Sequence, residues 1–389
     1  MAQIASTAAV THPSSNFLAA QLELGINKDE AQNMAAEPAT ALPASQSLGF
    51  ALGWDYAHHG LTPPALHLFA ASPLRQGYQA GCATFGHRTL RAHRHTQLWL
   101  ALRTHAWTRG RSFEDVQVTP NYLQQIEVSH CPITRQRLDD HPGSSKQRSV
   151  DRVRNDAGYA AGNLVMMSRA ANLAKAEHGW LQALEVARSV EAGPIHRIAS
   201  LGPAEWQRVA VLTSFVTELS HEEAAAVPLL VMPPNRLRLF NPIQALQALV
   251  TRQLATPGWS TRLARIEALL PTEGAKGDFN RFLMALAPRV LAVQDLTQEP
   301  QIRWALEDAW QQPLLQKRWL RFALHLNAAQ TEALVQRAAA KRLISCMHVQ
   351  QHSQPSATEG WALERKGFCA PSVQNLPLQR KANPLFTGS

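Results

Sequence analysis

Cysteine is scarce in this chain, and what there is lies scattered. Cys82, Cys131, Cys346 and Cys369 form no CxxC pair. The pattern gives no support to a disulfide framework or a self-contained zinc tetrad, and it suits a reducing compartment. No apolar run reaches the roughly 18–20 residues of a membrane span, so no membrane contact is expected. The opening MAQIASTAAVTHPSSNF has neither the basic start nor the apolar core of a secretory signal, and a cytoplasmic protein is the expectation. No fixed-period repeat recurs, which argues against a solenoid. Acids fall short of bases: 29 Asp and Glu stand against 38 Lys and Arg, a net charge of +9. That balance favours polyanionic partners, nucleic acid first; a basic soluble protein without such a partner is the alternative.

What is present is enough for two or three domains: 389 residues, 45% of them hydrophobic. Residues 1–46, rich in Ala, Ser, Gln and Thr, read as a disordered arm. Residues 47–192 begin with aromatics and then turn strongly basic. From His87 to Arg111 there are six arginines, four histidines and no acid. Leu90, Leu98, Leu102 and Ala106 recur near helical spacing, which predicts a basic amphipathic helix ended by Gly110. Facing outward, Arg88, Arg91, Arg94 and Arg103 would track a DNA backbone; a merely solvated helix face is the other reading. TPNYLQQIEV offers a short second helix, with Thr119 as cap and Pro120 first.

Gly193 and Pro194 mark a boundary. Residues 195–349 then read as a helical domain. Pro203 and Pro242 open helices, Asp278 is a plausible cap, and Asn327 with Gln330 forms a capping box. Residues 350–389 look like a loose tail in which Trp361 and Phe368 can dock.

The chemistry concentrates in residues 131–180. RSVDRVR suits a short half-buried strand, NDAGYAAGN a turn region, and LVMM a second strand. Ser168 can cap a helix over RAANLAKAEHGW, which places Asn172 in its first turns. A β-hairpin followed by a helix can bring Asp151 near Asn172. Both offer oxygen to a hard divalent cation such as Mg²⁺, which would polarise a phosphodiester. The expected fold class is thus α+β, mostly α, with a small ββα-metal unit joined to a helical bundle.

This ordered series resembles the core of the HNH, or His-Me finger, nuclease superfamily. The likeness is to a branch of bacterial and phage proteins that reads S-[VL]-D-R-[IV], G-Y, G-N-[LV] and A-N-x-x-K. The matching residues are Ser149-Val150-Asp151-Arg152-Val153, Gly158-Tyr159, Gly162-Asn163-Leu164 and Ala171-Asn172-Leu173-Ala174-Lys175, with CPITRQRL upstream as lead-in. About fifty residues are covered. The resemblance implies that Asp151 and Asn172 hold a catalytic Mg or Mn ion. It also implies that Asn163 braces the loop and that Lys175 approaches a phosphate. Best-known members carry a histidine, the general base, after the aspartate; here Arg152 stands there and cannot accept a proton.

Substitutes for the base are His141, Asp140 and His178, with His141 the first choice against an exposed-loop reading. Arg152 either clamps the scissile phosphate or pairs with Asp156 or Asp139. Tyr159 either stacks on a base or packs the hairpin. Zinc held by His130, Cys131, Cys82 and His87 finds no support in the spacing, and Cys131 reads as a small buried residue. Two functions follow as expectations. One is a metal-dependent DNA endonuclease of HNH-like type, its helical half contacting a protein partner or orienting substrate. The other is a catalytically inactive unit that binds nucleic acid or serves as an interaction scaffold.

Overall fold

Proline and short polar caps set most helix starts. The computed structural model describes residues 43–291, 298–343, 350–351 and 356–363. Most of the expected arm and tail, with Cys346, Cys369 and Phe368, lies outside these. Among the described residues there are fourteen α-helices and two two-stranded sheets, so the chain is mostly α with a small β component. None of the described helices is long and apolar enough to cross a membrane.

Helices α1 (Pro43–His58) and α2 (Pro73–Phe85) pack closely. A Cβ on Gly77 would lie 1.9 Å from the Phe50 carbonyl oxygen, and one on Gly53 2.0 Å from that of Leu74. Only glycine permits that approach. Helix α3 (Arg94–Thr108) is shorter than the basic run suggested. Gly86 ends α2 at a φ of +54°, and Leu90 N–H donates to the His58 carbonyl. The segment carrying Arg88, Leu90 and Arg91 is therefore a loop ahead of α3. At the other end Gly110 takes a φ of +61°. Helix α4 (Pro120–Gln125) starts as its cap predicts, with Thr119 Oγ1 accepting from Tyr122 N–H at 3.3 Å.

The hairpin strands β1 (Arg148–Arg152) and β2 (Leu164–Ser168) pair antiparallel, with Asp151 opposite Val165. Helix α5 (Arg169–Lys175) follows at once; Ser168 Oγ accepts from Ala171 N–H at 3.2 Å. It stops at Lys175, five residues short of the predicted run, because Ala176 turns to a φ of +44°. Helix α6 (Trp180–Ala192) then leads to the connection around Gly193 and Pro194.

Beyond it come α7 (Pro203–Ser214), α8 (His221–Ala226), β3 (Arg238–Leu239), α9 (Pro242–Gln253), α10 (Trp259–Glu267) and α11 (Glu273–Leu291). Helices α12 (Glu299–Ala309), α13 (Pro313–Ala323) and α14 (Ala328–Ala340) follow, and β4 (Gln350–Gln351) pairs parallel with β3. Asn327 and Gln330 make the predicted capping box. Asp278 is no cap. Helix α11 starts five residues earlier, with Thr272 Oγ1 accepting from Ala275 N–H. Buried Asp278 instead binds Arg281, Arg321 and His325 at 2.6–3.0 Å and ties α11 to α13. Hydrogen bonds from His325 and then Arg281 pull its carboxyl down to about 2.

The apolar core runs through both sides of the 193–194 connection. One continuous set of buried side chains extends from Leu98 through Met167 and Trp206 to Trp361. A smaller set, Leu52, Tyr56, Leu74 and Leu100, lies under α1 and α2.

Candidate functional site

Alternation along β1 puts Ser149 and Asp151 on the face that α5 covers. On α5, Asn172 and Lys175 are three apart and share one face. Helix and strand therefore meet residue for residue. Asn172 Nδ2 donates to Ser149 Oγ at 2.7 Å, and Lys175 Nζ reaches Asp151. The ammonium lies 3.3 Å from Oδ1 as a hydrogen bond and 3.1 Å from Oδ2 as an ion contact. At 3.1 Å the charge attraction to Oδ2 holds without a hydrogen bond. Lys175 Nζ also donates to the Arg152 carbonyl at 3.0 Å and Asn155 Oδ1 at 3.1 Å. An ammonium has three protons, and three acceptors surround this one.

Both ions of that pair are buried, Lys175 completely. Burial pushes the Asp151 carboxyl up, and the neighbouring ammonium opposes it. A lysine charge thus sits against Asp151 where the resemblance implies a divalent ion, and the Asn172 amide nitrogen is held by Ser149.

The loop between the strands is heavily braced. Asn163, fully buried, accepts from Arg154 N–H at 2.8 Å through Oδ1 and donates to the Arg154 and Gly158 carbonyls, each at 3.1 Å. Arg152 Nη1 donates to the Asn155 and Ala157 carbonyls at 3.1 and 2.7 Å, with its guanidinium 5.1 Å from the Tyr159 ring centre. The acids weighed as its partners are used elsewhere: Asp156 pairs with Arg154, and Asp139 caps the His141 turn. Tyr159 is buried against Phe113 and His105, and its hydroxyl meets His105 Nδ1 at 2.9 Å. Burial, then Arg109, Arg152 and Arg111, drive the His105 imidazole down to about 4. Gly158 leaves no room for a Cβ beside Ser112, and a Cβ on Gly162, at a φ of +88°, would fall 2.2 Å from Arg238 Cγ.

The candidate bases have other surroundings. His141 is an exposed turn residue. Asp140 binds Arg148 at 2.9 Å and Arg94 at 3.2 Å. His178 bonds the Lys175 carbonyl at 2.9 Å and rests edge-on against Trp206. Of the four arginines expected to track a DNA backbone, Arg94 is held by Glu127 at 2.6 Å and Arg103 by Asp55. Arg88 and Arg91 are exposed. Cys131 is buried, and its Sγ accepts from Thr134 and Ser168 N–H at 3.4 and 3.3 Å, tying the CPITR turn to β2; Cys82 is exposed on α2. Among the described residues no three His, Cys, Asp or Glu side chains gather as metal ligands.

Beside the hairpin loop lies a cleft of about 970 Å³, with Asn155, Trp180 and Leu219 in its wall. Arg111 and Arg154 face it together with Asp156, Glu177, Glu218 and Glu223, so it carries no single sign of charge and does not suit a polyanion.

Two anchoring groups, Arg135 and Arg238, escaped the motif reading; Trp361, read from the tail as able to dock, is a third anchor. Arg135 bonds both oxygens of Asp308 at 2.7 and 2.8 Å and reaches Glu307. Arg238 donates to the Ala357 and Glu359 carbonyls. Trp361 is fully buried, donating from Nε1 to the Ala161 carbonyl at 3.0 Å, while its own carbonyl accepts from Gly158 N–H. Set against family models, curated proteins and solved structures, the chain matches none of them.

Proposed function

We propose that the chain binds nucleic acid without cutting it, around a ββα unit whose metal seat is closed by a lysine. The supporting observation is the buried Lys175 ammonium, 3.1 Å from Asp151 Oδ2 and saturated by Arg152 and Asn155. In an HNH-like nuclease a divalent ion in that seat would stabilise the leaving oxyanion. Lys175 already supplies the positive charge that a buried carboxylate requires. Arg152, in the place of the base, directs its Nη1 donors to loop carbonyls. The surplus of nine positive charges supports a polyanionic partner.

Supercoiled plasmid incubated with Mg²⁺ or Mn²⁺ and the full chain should stay uncut, and Asp151→Ala should behave identically. The protein should retain DNA at low salt and release it steeply as salt rises. Metal-dependent nicking that Asp151→Ala abolishes would restore the endonuclease reading. Retention that ignores salt, or none at all, would remove nucleic acid as the partner.

A further inference from the structure

Residues 43–113 hold seven arginines, no lysine and a single acid, Asp55. This short stretch therefore carries six of the nine surplus charges. Arg103 uses Asp55, and Arg94 uses Glu127 and Asp140. Arg88 and Arg91 are exposed and have no carboxylate partner among the described residues. Their loop is folded against the end of α1: Arg88 N–H donates to the Phe85 carbonyl and Leu90 N–H to that of His58, each at 2.8 Å.

An aromatic row runs up to that loop. Phe50, Trp54 and His58 are four residues apart along α1 and share one face. Phe85 of α2 joins them. Phe50 stacks on Trp54 at 6.5 Å and 24°, Trp54 meets Phe85 edge-on at 5.0 Å, and Phe85 lies face to face with His58 at 4.4 Å and 14°. Phe50 is 40% exposed, and the other three are half-buried. The other faces of α1 are taken up by the glycine contact with α2 and by Leu52 and Tyr56 in the small core. The row is thus held rigid with ring surface open to solvent.

Open rings in line, ending at unpaired guanidinium groups, suit a polymer with flat apolar units and a regular negative charge. A duplex hides its base faces, whereas a single strand offers them for stacking. An acidic peptide would use the arginines and leave the row idle. We propose that this surface binds single-stranded nucleic acid, with bases stacked along Phe50, Trp54 and Phe85 and phosphates at Arg88 and Arg91. The polymer class rests on the function proposed above; the place and the strandedness go beyond it.

Fluorescence anisotropy with the full chain tests this, using a labelled oligothymidine of about twenty nucleotides and a duplex of equal length. The single strand should bind about tenfold more tightly or better. Phe50→Ala should weaken it roughly five- to a hundredfold, the usual worth of one stacked base. Arg88→Glu with Arg91→Glu, at exposed positions that do not threaten folding, should weaken binding and flatten its salt dependence. Equal affinity for duplex and single strand, or single-strand binding untouched by both variants, overturns the assignment but leaves nucleic-acid binding standing. Failure to bind either polymer at low salt overturns the underlying function as well.

Discussion

Lys175 decides how Asp151 is read. A buried carboxylate without a counter-charge neutralises or costs several kcal/mol, and a matched ammonium offsets that cost. Removing one partner alone should cost about 3–5 kcal/mol, since the survivor is a dry, unpaired charge. Lys175→Met and Asp151→Leu should each show that loss in urea unfolding. The double variant should lose less than the larger single loss, which is the mark of direct coupling. Additive losses would mean that the two charges do not depend on each other, and the closed-seat reading would lose its basis. His105 gives a second test at this scale. Its imidazole falls from 6.5 to about 4 on folding, so between those values the unfolded chain binds the extra proton. Stability from this group is complete above pH 6.5 and lost as pH falls towards 4, by roughly 3 kcal/mol. Denaturation at pH 7 and pH 4.5 should show His105→Gln losing less than the parent over that window. Equal losses would deny His105 the role.

Elements were legible where a local rule governs them. Thr119, Ser168 and Asn327 each cap the helix that their position predicts, because a side-chain oxygen and a free N–H are only three residues apart. The hairpin was legible from β-branched and apolar runs flanking a glycine-containing turn. What could not be read came from distant groups. Asp278 looked like a cap but is fixed by Arg321 of another helix and by His325 just beyond that helix's end. Helix α3 starts late because the His58 carbonyl holds the preceding loop. The candidate site divides in the same way. Asn163 meets its loop within ten residues, so its surroundings followed from the motif's own spacing. The partner of Asp151 depends on the angle at which α5 crosses β1, and no local pattern states that angle.

At the scale of the whole molecule, the question is whether the ββα unit is an appendage or part of the helical body. Chains of this length usually unfold in stages, domain by domain. Here the contacts cross the 193–194 connection in several places. Arg135 is locked to Asp308, Arg208 donates to the Ile133 carbonyl at 2.9 Å, and Trp206 packs on His178. Arg238 and Trp361 pin the segment 356–363 to the hairpin loop, with Phe240 beneath the indole. The two halves share one core, so neither opens without exposing the other's apolar surface. Native-state hydrogen exchange should therefore give amides of β2 and of α9 the same opening free energy, because both belong to one cooperative unit. Trp361→Ala, which removes a fully buried indole from the junction, should lower both values together by about 3–5 kcal/mol. The α1–α2 hairpin, resting on its own small core, is the part expected to open first. If β2 opened well before α9, or if Trp361→Ala lowered only one of them, the unit would be an independent module, and its Lys175–Asp151 pair would say nothing about the helices.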